Sequence, residues 1–142
     1  MKKLILSLLL LPFAGKAGVK PFHSSSSLLV EARSGEWPIS LEQTVEKSHI
    51  SYFLEFRDEQ VLTSVVLDTL PFEDLSQLKY FQQALTVLKK GDNGDVAKFK
   101  DYSIKRSDTK DKKKNYLLRY QWGLTNFCQP EADTLIAIIK KL

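Results

Sequence analysis

Residues 49–57 read His49-Ile50-Ser51-Tyr52-Phe53-Leu54-Glu55-Phe56-Arg57, and residues 75–88 read Leu75-Ser76-Gln77-Leu78-Lys79-Tyr80-Phe81-Gln82-Gln83-Ala84-Leu85-Thr86-Val87-Leu88. The first puts Tyr52, Leu54 and Phe56 on one side and Phe53, Glu55 and Arg57 on the other. That alternation in strong β-formers is the period of a half-buried strand. The second repeats Leu75, Leu78, Phe81, Leu85 and Leu88 at spacings of three and four, which is one face of an amphipathic helix. A change of period from two to 3.6 within thirty residues sets the class as α+β, with helices packed on antiparallel sheet.

Working outward, Asp58-Glu59-Gln60 is a short polar break. It predicts a hairpin between residues 49–57 and a second strand over Val61–Leu70. Asp74, with Gln77 three residues on, predicts the helix start, its carboxylate accepting an early backbone N–H. Lys89 and Lys90 suit the negative end of the helix dipole, and Gly91 is the expected left-handed closing residue. Upstream, Leu28–Arg33 and Trp37–Val45 read as strands around a Ser34-Gly35-Glu36 turn. Downstream, Val96–Ser107 reads as one bent strand, Asp108–Lys114 as a charged loop, Asn115–Trp122 as a strand and Leu124–Cys128 as a short one. A last helix starts at Pro130, whose fixed φ suits the first turn. Its expected buried stripe is Ala132, Leu135, Ile136, Ile139 and Leu142.

Strands-then-helix thus occurs twice, over residues 49–90 and 99–142, a ββα-type pseudo-repeat with both helices on one face of the sheet. This repeated order is similar to the topology of the PUR and Whirly single-stranded-nucleic-acid-binding families. The likeness is in element order over residues 28–142 and carries over no residue. It implies a nucleic-acid binder as an alternative function.

The first seventeen residues point elsewhere. Lys2 and Lys3 precede an apolar run from Leu4 to Phe13, and Ala14, Gly15 and Ala17 follow. Positive, apolar, small is the order of a secretory signal peptide, with cleavage expected after Ala17. The apolar run is too short to span a bilayer, which takes about 20 residues. Residues 18–27, with Pro21 and the serines 24–27, read as a flexible leader to a single domain over 28–142. Of the 21 Lys+Arg in the 142 residues, three lie in the signal segment, which has no acid. The mature part keeps 18 against 17 Asp+Glu, so the formal charge of +4 overstates its basicity. Near neutrality and export both argue against nucleic acid as a partner. The expected setting is periplasmic or secreted and bacterial, with no membrane span in the mature chain.

Chemistry-bearing motifs are sparse. Two histidines, His23 and His49, and one cysteine, Cys128, give no zinc spacing and no positioned nucleophile pair. Asp92-Asn93-Gly94-Asp95 lacks the ligand pattern of a calcium loop and reads as a turn. No cofactor or metal is expected. A small envelope hydrolase would have to use Glu55 or Cys128. Lys105, Arg106, Lys110 and Lys112–Lys114 read as a solvated hairpin tip. The strongest binding feature is the row Tyr116, Tyr120 and Trp122, which is a ligand platform if exposed and the sheet's inner face if buried. The sequence reading is therefore a non-enzymatic binding domain for a protein, peptide or envelope glycan.

Overall fold

The computed structural model describes residues 24–32, 38–108, 115–121 and 123–142. The proposed signal segment, His23, Trp37 and Trp122 lie outside the described residues. Among the described residues, eight strands and two helices follow in the order β1 (Ser24–Ala32), β2 (Ile39–Glu46), β3 (His49–Arg57), β4 (Leu67–Phe72), α1 (Leu75–Lys89), β5 (Val96–Lys98), β6 (Tyr102–Arg106), β7 (Tyr116–Tyr120), β8 (Gly123–Phe127) and α2 (Gln129–Lys141). They form two four-stranded antiparallel meanders, β1-β2-β3-β4 and β5-β6-β7-β8, each followed by a helix. The class is α+β, as the periodicity requires, and the repeating unit has four strands rather than two.

The register explains the faces. Leu41, Leu54 and Leu70 lie opposite one another across β2, β3 and β4, and all are buried. In the second sheet Ile104, Leu118 and Thr125 do the same. The helices lie against each other and against these inner faces, α1 on β3, β4, β5 and β6, α2 on β1. Leu78, Phe81, Leu85 and Leu88 of α1 join Ala132, Leu135, Ile136 and Ile139 of α2 in one continuous core with both sheets. Leu142, expected on the α2 stripe, is exposed, because the helix ends at Lys141.

Local differences from the sequence reading have simple causes. The serines 24–27 are not a leader but the start of β1, paired with residues 43–46 of β2. Residues 61–66 are not strand. Pro71 sits inside β4 opposite Phe53, which an edge strand tolerates. The same edge is blunted at Thr69, whose N–H donates to the Asp68 carboxylate at 2.8 Å. Val96–Ser107 is a hairpin, not one bent strand. Its turn closes where Phe99 N–H donates to the Tyr102 carbonyl at 2.8 Å.

Asp74 caps α1 as read, accepting the Gln77 N–H at 2.9 Å, and that bond holds its carboxyl below the usual range. Gly91 does not take the left-handed conformation; Gly94 does, at φ 100°. Gly91 instead makes room for Asp95, whose carboxylate accepts the Asp92 N–H at 2.8 Å and would lie 2.6 Å from an added Cβ. Asp92–Asp95 is thus a self-bonded turn.

Candidate ligand-binding cleft

Tyr102 and Tyr120 are register partners on β6 and β7. Phe99, in the β5–β6 turn, stacks on Tyr102 with centroids 4.3 Å apart and planes 10° apart. Phe72, at the end of β4, meets Tyr102 edge-on at 6.2 Å, and Phe81 of α1 closes the cluster at 5.4 Å from Phe72. Burial pushes the Tyr102 phenol well above its ordinary value, so it stays neutral and acts as a ring with one hydroxyl. Above this floor opens a cleft of about 480 Å³ between the two halves. Leu70–Glu73, Gln77 and Tyr80 line one wall; Phe99–Tyr102, Tyr120 and Gln121 line the other.

The polar groups of the cleft are held locally. Gln77 accepts the Glu73 N–H at 3.0 Å, which ties the first turn of α1 to the end of β4. Gln121 donates from Nε2 to the Tyr120 hydroxyl at 3.0 Å. Its φ of 48° lies in the left-handed region. Tight turns after a strand often need that conformation and usually fill it with Asn or Gly. Tyr80 sits off the buried stripe of α1 and is 59% exposed, so much of its side chain meets solvent. The site can therefore hold a small molecule between ring faces, with carboxylates (Glu73, Asp101), amides (Gln77, Gln121) and one ammonium (Lys100) at its rim.

Of the predicted row, Tyr120 lines this site and Tyr116 does not. Tyr116 is fully buried. It stacks on Phe127 at 5.2 Å and lies under the Arg106 guanidinium, 5.1 Å from its ring centre. Its hydroxyl donates to Gln129 Oε1 at 2.6 Å and accepts from Arg106 Nη1 at 3.0 Å. Burial raises its pKa, opposed by Arg106. Tyr116 is thus a core residue that joins the second sheet to α2. Tyr120 is half-buried and faces the cleft; Trp122 lies outside the described residues.

Arg106 is not part of a solvated hairpin tip. It is largely buried, with Asp108 2.8 Å away. Lys110 and Lys112–Lys114 lie outside the described residues. Tyr80, Phe99 and Tyr102 were missed by the sequence reading. The signal for them was available: an aromatic off the apolar stripe of a helix, and two aromatics flanking the polar pair Lys100-Asp101, which marks a turn.

The other candidates lie elsewhere. Glu55 sits on the open outer face of β3, opposite Ser40 and Thr69. His49 is exposed at the β2–β3 turn. Cys128 is buried at the start of α2, where its N–H donates to Glu131 at 2.8 Å. Among the described residues no group of three or more His, Cys, Asp or Glu is gathered as a metal site. None of their helices is long and apolar enough to cross a membrane.

No protein-family model, curated protein or solved structure matches the chain.

Proposed function

We propose that the mature chain is an exported, non-enzymatic binding domain, periplasmic or secreted, and that the cleft seats a segment of envelope glycan. The observation that carries this reading is the convergence of rings from both halves on one cleft whose rim alternates carboxylates, amides and an ammonium. Sugar rings present flat C–H faces to aromatics and hydroxyls that both donate and accept, so this lining matches them group for group. A volume of about 480 Å³ suits one or two sugar units. The leader supports the address.

Titration of the protein with N-acetylglucosamine oligosaccharides, followed by calorimetry, tests the site. Tyr80→Ala is expected to weaken binding about two- to tenfold with an unchanged Tm, since a ring contact of this kind contributes about 0.5–1.5 kcal/mol. No binding, or binding indifferent to Tyr80 and Gln121, overturns the glycan reading. A full-length, cytoplasmic product in native expression overturns export.

The second reading, a single-stranded nucleic-acid binder, is favoured by the repeated four-strand-plus-helix order and, against the near-neutral total, by the local charge of the second half. Residues 92–142 carry eleven Lys/Arg against seven acids. Binding of labelled single strands should then weaken steeply with salt, and no binding at low salt removes it.

A further inference from the structure

The outer faces of the two sheets carry opposite charge. Side chains alternate along each strand, so residues next to the buried ones point away from the helices. On the first sheet these are Glu31, Glu42, Glu46 and Glu55, set around Phe53, with Arg57 among them as a cation. On the second sheet they are Lys98, Lys105 and Arg119, set around Leu117 and Leu124, with one acid, Glu59, bonded to Asn126 at the β8 edge. The chain as a whole follows: residues 24–91 hold ten acids and six Lys/Arg, the reverse of the balance in residues 92–142. Each face therefore has an apolar centre and a charged surround, the layout of a protein interface. Their charges complement each other and not themselves.

We propose that a second copy of this chain docks head to tail, the acidic outer face of its first sheet on the basic outer face of the second sheet. Like faces repel, so a two-fold dimer through either face is disfavoured. The contact is heterologous, and it leaves one acidic and one basic face open at the ends, so growth continues until a ring closes or a filament forms. None of these charged residues lines the cleft, so the proposal stands or falls separately from glycan binding.

Sedimentation of the full chain at low and high salt tests it. At about 50 mM salt the average mass should rise with concentration, and at about 500 mM the association should weaken more than tenfold. Glu42→Lys with Glu55→Lys should abolish association, as should Lys105→Glu with Arg119→Glu. An equimolar mixture of the two double variants should associate again, because each keeps one native and gains one inverted face. A chain that is monomeric at all concentrations at low salt overturns the proposal, as does association untouched by both charge reversals. A mixture that stays monomeric overturns it too. Single strands captured through Lys105 and Arg119 by a chain that remains monomeric would assign the basic face to nucleic acid and overturn it as well.

Discussion

The two sheets share an order but not a construction. Strands of the first run nine, eight, nine and six residues; those of the second run three, five, five and five. The first sheet covers its helix with Ile39, Leu41, Tyr52, Leu54, Phe56, Leu70 and Phe72. The second brings Ile104, Tyr116, Leu118 and Phe127, and makes up the difference with polar bonds. Arg106 and Tyr116 meet Gln129 at the start of α2, Gln129 reaches Asp133, and Asp133 pairs with Lys89 at the end of α1. The free edge of β8 is taken by the first half: Glu59 N–H donates to the Leu124 carbonyl at 2.8 Å. The Glu59 carboxylate accepts from the backbone and side-chain N–H of Asn126 at 3.0 and 2.8 Å. A short sheet buries too little apolar surface to stand alone, and it is completed by contacts from the longer one.

If the halves form one cooperative unit, damage to either inner face must unfold both. Leu54→Ala and Leu118→Ala each remove a fully buried side chain from the shared core. Each is expected to cost about 2–5 kcal/mol. A single unfolding transition should be followed alike by the far-ultraviolet and aromatic signals. Two resolved transitions in Leu118→Ala, with only the second lost, would break the comparison and make the second half a separate domain.

The contact between halves is tested more locally at Gly123. An added Cβ there would overlap the Asp68 carboxylate of β4, so the two sheets approach at a place where a larger residue must push that side chain aside. Gly123→Ala is expected to cost about 1–3 kcal/mol through overpacking. In the Gly123→Ala, Asp68→Ala double variant most of that cost should disappear, because the clashing group is gone. Equal destabilisation in the single and double variants would mean that backbone conformation, not the contact with Asp68, fixes Gly123.

Legibility in the sequence followed the same division. The long strand β3 and both helices could be read to within a residue or two, because each buries a regular stripe and regular burial leaves a period. The α1 start was readable because capping is a local bond between Asp74 and Gln77. Residues 61–66 were misread as strand: Leu62, Val65 and Val66 have β-forming side chains but are exposed, so propensity there was not backed by burial. The cleft was half legible. Tyr120 could be placed on a face, but its neighbours Phe72, Tyr80 and Phe99 come from other elements. No spacing along the chain encodes how two sheets meet. Tyr116 and Tyr120 share a strand face, and the sequence pattern could not say that α2 covers only the first.

The smallest difference between the halves lies at the helix ends, where it can be titrated. Lys89 Nζ is 2.8 Å from Asp133 Oδ1, with about half of each side chain exposed. The lysine beside it, with a second bond from Gln129, holds the Asp133 carboxyl below its ordinary 3.8. A carboxyl depressed in the folded state contributes stability above its unfolded value and loses it as pH falls through the lower, folded one. The contribution is therefore whole at neutral pH and disappears between about pH 4 and the folded value. At this exposure it is small, about 0.2–1 kcal/mol, and shrinks with salt. Asp133→Asn should lower stability by that amount at pH 7 and by progressively less as pH falls below about 4. Lys89→Met should do nearly the same, and the double variant no more than either alone, if the ion pair is what matters. A pH-independent loss in Asp133→Asn would show instead that Asp133 acts through Gln129, holding the polar network that completes the shorter sheet.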